Sequence, residues 1–388
     1  MKILWLNPLN ASKNFAAISN MNFMVYEKNE IAKSIKRIGN EIVTIVCFKK
    51  NKMNMNGFSN TIYFKILRPV WIFKLLYHIK MLKVFISQNF DLILFSVNAS
   101  HLIPIIKLIT VLRTHKSILV FDIRSVPVDL KNDFKSKIRI LRYNLSIKIA
   151  DRLCDGITCI TPMLGDTLKP KLKKLKEKIG YFQTGVNFRI FDPSKSLSLR
   201  DKLNLKGRFI VIYHGVISQN RGLQNLLKAI SICRLHIPHI LFMMVGAGEA
   251  ESELKHIIKE LKLDKNVMFT GGVPFKMVPN YIKTADVGVI PLPAIDWWNV
   301  SSPIKLKEYL AMQLPVIATD IPAHRFVIKK TGGATLIKNH KPKNIAEALR
   351  TFYENPKPIF PMKKREELYN LISFNSQAIN FINYVGKL

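Results

Sequence analysis

The stretch from Asn299 to Arg325, NVSSPIKLKEYLAMQLPVIATDIPAHR, constrains this chain more than any other. Ser302 and Pro303 predict a helix start, because serine can cap free backbone N–H groups and proline suits the first helical turn. Apolar residues at helical spacing follow, and the run VIAT then predicts a buried strand. Lys305 and Glu308 are three residues apart and share one side of the helix. A helix start with a lysine in its first turn predicts an anion site.

Hydroxyl groups beside that anion could donate hydrogen bonds to the glutamate, and sugar nucleotides carry both kinds of group. The phrase SSPIKLKEYLAMQLPVIATDIP resembles the donor-binding signature of glycosyltransferase family 4, SP-x-K-x-x-EYLA-x-G-x-PV-x-A-[ST]-D. Only the usual glycine departs, where this chain has Gln313 or Leu314. The resemblance implies an α/β fold of the GT-B type, with two Rossmann-like, doubly wound parallel-sheet domains that face a cleft.

The composition independently indicates two globular domains. The chain has 388 residues, of which 48% are hydrophobic and 22% charged. Its four cysteines form no metal-binding pattern, and such usage is typical of a reducing cytoplasm. No run of about 20 apolar residues predicts a spanning helix, and the first residues predict a strand in place of a signal peptide. We therefore expect a cytoplasmic protein.

The chain is strongly basic, with a formal net charge of +34, and residues 1–194 hold 32 Lys and Arg against 12 Asp and Glu. An AT-rich genome, which favours lysine, explains such a charge as well as attraction to an anionic membrane does. No recognition motif supports a nucleic-acid partner. Residues 69–87 and 131–148 interleave apolar and basic side chains. They predict either packed surface helices or helices at the inner face of the plasma membrane.

The first half of the chain alternates strand and helix patterns, which predicts a parallel sheet. Three of its residues are candidates for the cleft. Asp122 and Arg124 end a strand pattern, at the edge of the sheet where ligands bind in such folds, although a local ion pair explains them equally well. His101 opens the helix after the preceding strand.

Domain limits follow from two further resemblances. The sequence GYFQTGVNFRIFDP at 180–193 is similar to the domain junction of family 4, and 374–384 is similar to its last helix, which crosses back. We expect an acceptor-binding domain at 1–193 and a nucleotide-sugar-binding domain at 194–365. Residues 366–388 are then expected to return to the first domain.

Within the second domain the resemblance implies a donor site. Arg221 stands where the family has lysine, and arginine can hold a phosphate through two hydrogen bonds. The turn GAGEAE lacks the third glycine of a dinucleotide fingerprint. The implied donor-binding residues are Gly215, Arg221, Gly246, Gly248, Val273, Ser301, Ser302, Pro303, Lys305, Leu306 and Glu308.

One position departs from the family in a way that bears on the donor. Many relatives carry a first glutamate eight residues before the second, and this chain has Val300 there. Recognition of the sugar hydroxyls would then fall to Asp296, Ser301 or Ser302. The identity of the donor sugar stays open.

The function implied is transfer of a hexosyl or N-acetylhexosaminyl group, with retention, from a UDP- or GDP-linked donor to a glycan or lipid-linked acceptor of the cell envelope. Arg221 and Lys305 would act catalytically by stabilising charge on the leaving diphosphate. The sequence has no convincing DxD motif, so we expect no metal and no other cofactor. The alternatives are a GT-B sugar-nucleotide epimerase, whose acid and base cannot be placed, and a non-enzymatic basic protein that binds membrane or nucleic acid.

Overall fold

The computed structural model describes residues 1–6, 27, 30–48, 61–65, 79, 81–127 and 133–388. Most of the segment 69–87, for which we predicted a helix, therefore lies outside the described residues. The described residues form two compact units. One is Thr184–Gln377 together with Glu27, and the other holds the remaining described residues up to Gln183 and Ala378–Leu388.

The first unit contains a parallel sheet of seven strands in the order β3-β2-β1-β4-β5-β6-β7. Strands β1 and β4 are fully buried apart from Lys2, as expected for a parallel sheet covered on both faces. The strands are β1 Lys2–Leu6, β2 Glu41–Phe48, β3 Thr61–Lys65, β4 Leu92–Ser96, β5 Ile118–Ile123, β6 Gly156–Cys159 and β7 Ile179–Tyr181.

The connections of this sheet decide which face each helix covers. From β4 onward every strand is added on the same side of its predecessor. Because crossover connections between parallel strands are right-handed, the helices after β4, β5 and β6 lie on one face of the sheet. These helices are Ile103–Leu112, Phe134–Leu153 and Pro162–Leu168, and residues 30–37 and 81–87 are also helical.

The second unit contains a parallel sheet of six strands in the order β10-β9-β8-β11-β12-β13. Strand β8 is buried throughout, and alternate residues, Phe209, Val211 and Tyr213, lie in a core shared with the helices Leu223–Cys233, Glu251–Glu260 and Pro342–Glu354. The strands are β8 Phe209–His214, β9 Ile240–Val245, β10 Val267–Gly271, β11 Val287–Ile290, β12 Val316–Thr319 and β13 Ala334–Ile337. The helices are Leu223–Cys233, Glu251–Glu260, Val278–Thr284, Asp296–Asn299, Ile304–Ala311, Pro322–Thr331, Pro342–Glu354 and Arg365–Ile372.

Both units are thus Rossmann-like α/β layers built on parallel sheets, and this part of the predicted fold class is confirmed. The predicted domain limits at 193 and 365 stay predictions. In the last helix, Phe374–Val385, residues from 378 onward belong to the first unit. There the Phe381 ring stacks on Phe182 with centroids 4.3 Å apart. Tyr384 donates through its hydroxyl to the Ile157 and Lys178 carbonyls, at 3.1 and 2.8 Å.

A buried histidine makes the second unit sensitive to acid. His324 is fully buried, its Nδ1 lies 2.7 Å from the Thr319 carbonyl, and burial lowers its pKa to about 4. In the unfolded chain a histidine has a pKa near 6.5, so it is protonated at a higher pH than His324 in the folded protein. The free energy of unfolding therefore decreases as pH falls from about 6.5 toward 4. The loss amounts to about 3 kcal/mol.

We expect His324→Asn, which keeps an N–H donor for Thr319, to flatten this part of the pH dependence. Urea unfolding at neutral pH and near pH 4.5 would measure it in both proteins. An equal fall in the unfolding midpoint of both would contradict the assignment.

Candidate functional site

The helix Ile304–Ala311, called the signature helix below, begins differently from our prediction. Pro303 occupies the N-cap position with φ −79° and ψ 83°, and no side chain caps the helix. Ser302 lies one residue too early to act as the cap, and its hydroxyl instead accepts a hydrogen bond from Lys307 Nζ at 3.2 Å. The predicted serine cap is therefore wrong. The first-turn N–H groups lack a side-chain partner in the described part of the chain, which suits an anion site.

Lys305, in the first turn of the signature helix, lies against Gly215 at the end of β8. A Cβ atom placed on Gly215 would stand 2.6 Å from Lys305 Cε and 2.9 Å from its Nζ. Gly215 also has a φ of +116°, which favours glycine. The ammonium group is further positioned 5.3 Å from the centre of the Tyr213 ring. The glycine therefore makes room for the lysine.

The other predicted glycines line the same turn. Gly215 donates its backbone N–H to the Val245 carbonyl at 2.8 Å, which joins the ends of β8 and β9. A side chain on Gly246 would collide with the Gly215 carbonyl, and one on Gly248 with the Ile217 carbonyl. The two loops that follow neighbouring strands are thus packed backbone to backbone beside Lys305.

Arg221 reaches this region from the loop after β8. It ends a short 3₁₀ turn, Gln219–Arg221, and Gly222 follows in the left-handed conformation. Its guanidinium group stacks 4.3 Å from the centre of a Trp298 ring. Trp298 in turn donates from Nε1 to the Asn220 carbonyl at 3.0 Å. The tryptophan therefore orients both the arginine and the loop that carries it.

Glu308, one turn further along the signature helix, is buried beside His214. The glutamate Oε2 lies 2.7 Å from His214 Nε2, and since a carboxylate only accepts, Nε2 carries the proton and donates. His214 Nδ1 is buried and has no hydrogen-bond partner among the described residues. The pair joins the end of β8 to the signature helix and leaves a polar ring atom unsatisfied.

Two further residues of the signature helix hold it in place. Tyr309 receives a hydrogen bond from the His214 backbone N–H at 3.2 Å and donates to the Ile212 carbonyl at 3.3 Å. Lys307 is fully buried and donates to the Thr184 carbonyl at 2.8 Å. These bonds anchor the helix to β8 on one side and to the start of the second unit on the other.

The electrostatics of this cluster favour an anion. Burial and, to a smaller extent, repulsion by Arg221 together lower the pKa of Lys305 to about 7, while Glu308 acts in the opposite direction. Arg221 and Glu308 are thus both within electrostatic range of Lys305. An anion placed between the two cations would relieve their repulsion, and its attraction to them would be stronger in a buried site than in water.

For the remaining predicted donor-site residues the structure gives burial and local contacts only. Leu306 is buried in the core, so only its backbone can contact a ligand. Ser301 donates its hydroxyl to the Trp298 carbonyl at 2.9 Å. Val273 is half-buried and Asp296 exposed, each on its own loop or short helix. Their roles toward a ligand stay predictions.

The three predicted cleft residues, Asp122, Arg124 and His101, belong to the first unit, whereas Lys305 and its neighbours belong to the second. Asp122 is buried and accepts a hydrogen bond from Thr158 at 2.9 Å, with Arg124 3.7 Å from its other oxygen. Arg124 also donates to the Phe182 carbonyl at 3.1 Å. His101 is exposed in the turn after β4. The ion pair exists, and a role in binding stays a prediction.

Among the described residues, no group of three His, Cys, Asp or Glu residues could hold a metal ion. The cysteines are described at 154, 159 and 233, all buried and unpaired as core residues. Burial raises the pKa of the Cys154 thiol to about 12. Independence of metals stays an expectation.

Comparison with known proteins finds similar sequences and similar folds. Residues 196–370 match the family model described as "Glycosyl transferases group 1". A putative teichuronic acid biosynthesis glycosyltransferase, TuaH of Bacillus subtilis, is 26% identical over 204 residues, 52% of this chain and 49% of TuaH. A D-inositol 3-phosphate glycosyltransferase of Paenarthrobacter aurescens is 25% identical over 240 residues, 59% of this chain and 56% of that protein. The chain thus matches about half the length of these curated relatives.

Solved structures resemble the whole chain. HepE of Anabaena, crystallised in complex with UDP, has a TM-score of 0.75 at 15% identity and covers 100% of both chains. Sucrose-phosphate synthase of Thermosynechococcus elongatus has a TM-score of 0.72 at 15% identity, over 100% of this chain and 98% of that one. The fold is that of the GT-B glycosyltransferases. The match of residues 196–370 to the group 1 model agrees with the coarser part of the predicted resemblance.

Sequence reasoning missed the partners of the predicted residues. His214 and Trp298 have no assigned role in the motif, although His214 directly precedes Gly215 and Trp298 belongs to a pair of adjacent tryptophans. Two adjacent tryptophans just before the signature helix are a signal that could have indicated an aromatic partner for Arg221. Lys307 offered no such signal, because a lysine on a helix is usually exposed.

Proposed function

We propose that this chain transfers a sugar from a nucleotide diphosphate to an acceptor, with retention of the anomeric configuration. The observation that carries the proposal is that Lys305 lies against Gly215, directly beside the buried pair of His214 and Glu308, with the Arg221 cation within electrostatic range. The cations suit a diphosphate, and the carboxylate suits the hydroxyls of a ribose. A nucleotide sugar presents both.

The donor is proposed to be UDP- or GDP-linked and to carry a hexosyl or N-acetylhexosaminyl group. The complex of HepE with UDP supports a nucleotide of this kind at the corresponding fold. Arg221, Lys305 and the uncapped start of the signature helix would stabilise the charge that develops on the leaving diphosphate. No protein nucleophile and no metal are assigned to the step.

The acceptor is proposed to be a glycan or a lipid-linked intermediate of a cell-envelope polysaccharide, used on the cytoplasmic side of the membrane. The names of two relatives support this, since TuaH and the amylovoran biosynthesis glycosyltransferase AmsK of Erwinia amylovora are both named for polysaccharides. Among the described residues, no helix has the length and apolar character needed to cross a membrane.

A thermal-shift screen of UDP- and GDP-sugars tests the proposal, followed by an assay of nucleotide release with and without EDTA. A ligand present at about 100 times its dissociation constant adds roughly 2.7 kcal/mol, which a melting curve resolves easily. We expect one nucleotide to stabilise the protein and release to be insensitive to EDTA. Failure of every nucleotide sugar to bind or to be cleaved would overturn the proposal.

The lowered pKa of Lys305 predicts that donor binding takes up a proton above neutral pH. A bound diphosphate raises that pKa, so affinity is highest below pH 7 and falls by up to about tenfold for each unit above it. Titration calorimetry in buffers of different ionisation enthalpy would count the proton. Lys305→Arg, which stays charged, is the matched control and should bind with a flat profile. Proton uptake that persists in Lys305→Arg would assign it to another group.

A further inference from the structure

The helix Phe134–Leu153 in the first unit turns an apolar stripe toward solvent. Four side chains at spacings of four, three and four residues lie along one side of it. They are Phe134, Ile138, Leu141 and Leu145, exposed by 77, 39, 67 and 52%. In a surface helix such an apolar stripe normally packs against the core. Here the stripe is exposed, so it is available to a partner.

The opposite side of this helix faces the sheet and is more polar than the outward side. Its buried residues include Ser136 and Ser146 together with Tyr143, Ile147 and Ala150. Ser146 lies 2.7 Å from Ser100, each through its hydroxyl oxygen, which fixes the helix against the turn before the helix Ile103–Leu112. The exposed apolar stripe is therefore a property of a packed, correctly oriented helix.

Cations flank the stripe on both sides. Lys137 lies next to it on one side, and Arg142 and Lys135 on the other, all exposed. The only acidic residue of the helix, Asp151, is buried and accepts from the backbone N–H groups of 173–175. The exposed surface of this helix is therefore apolar in the middle and positive at both margins.

The neighbouring helix Ile103–Leu112 extends this surface. The two helices cover the same face of the sheet, because they follow β4 and β5 in the same direction. The outward residues of the shorter helix are Pro104, Ile105, Leu108, Val111 and Leu112, with Leu112 exposed by 77%. The one charged residue of this helix, Lys107, is half-buried and pairs with Asp155 at 3.3 Å.

We infer that these two outward faces, called the lipid face below, dock onto an anionic lipid bilayer. The apolar side chains would enter the acyl boundary while the flanking lysines and arginines stay at the phosphate groups. A second copy of the chain fits less well, since two such faces would bring positive margins together and repel. The inference is independent of sugar transfer, although it would bring a lipid-linked acceptor near the enzyme.

Co-flotation with phosphatidylcholine vesicles, with and without phosphatidylglycerol, tests the lipid face. We expect binding to the anionic vesicles only, weakened when salt rises from about 0.1 M to about 1 M. Lys137→Gln with Arg142→Gln should lower it by about 30-fold, since each cation contributes about 1 kcal/mol at such a surface. Leu108→Ser with Leu141→Ser should lower it by about tenfold or more.

Matched controls are Leu235→Ser and Lys206→Gln in the second unit, whose side chains are exposed by 76 and 81%. They should float as the wild type does. Equal binding to neutral vesicles, no binding, or unchanged binding of both double variants would overturn the inference. Self-association that disappears in Leu108→Ser with Leu141→Ser, seen by sedimentation velocity, would assign the face to a second copy instead. Nucleotide binding, measured in solution on all variants, reports on the proposed function separately.

Discussion

Replacing Lys305 or Arg221 by methionine is expected to lower turnover by on the order of 10²–10³-fold each, as for the loss of one preorganised donor to a developing charge. Both side chains keep much of their volume in these variants, so the packing on Gly215 and on Trp298 survives. What is lost is the positive charge that stabilises the leaving diphosphate, and this matters most in the transition state.

Initial rates of sugar transfer or donor hydrolysis measure the effect, with Lys329→Met, an exposed lysine on another helix, as the control. A second readout separates electrostatics from misfolding. Arg221 lowers the pKa of Lys305, so Arg221→Met should move the alkaline limb of the pH profile upward. Variants that fold and turn over like the wild type would show that the two cations are surface charges without a catalytic role.

Glu308→Gln is expected to weaken binding of the nucleoside diphosphate by about 10- to 100-fold, since a hydrogen bond to a charged group contributes about 1.5–3 kcal/mol. The carboxylate is buried beside His214, where it can only accept hydrogen bonds, as ribose hydroxyls require. A glutamine amide in its place offers a donor in one of the two positions. Its loss should therefore appear already in the ground state.

Inorganic pyrophosphate provides the comparison that locates this effect. Well below pH 7, where Lys305 is protonated in both proteins, Glu308→Gln should bind pyrophosphate as the wild type does, whereas Lys305→Met should lose affinity for both ligands. His214→Ala should resemble Glu308→Gln, because the carboxylate then loses the imidazole that orients it. Equal weakening of pyrophosphate and nucleoside diphosphate in Glu308→Gln would place the glutamate at the phosphates instead of the ribose.

Local sequence patterns were sufficient to predict the secondary-structure elements that carry this site. The run VIAT predicted β12 Val316–Thr319 with its observed limits. Periodicity placed Lys305 and Glu308 on one helix, and the order of strands and helices predicted parallel sheets. These features depend on residues close in sequence, whose preferences a single chain shows directly.

The partners of those residues depended on the tertiary structure. His214 meets Glu308 across 94 positions, and Trp298 supports the loop of Arg221 across 78. The burial of Lys307 and the failure of Ser302 to cap its helix have the same origin, since the serine hydroxyl is engaged by that lysine. By itself the sequence determined which chemical groups stand at the ends of which strands and helices. Only the packing of the β8 and β9 loops against the signature helix decided which of them touch, because such contacts depend on the whole core and not on local preference.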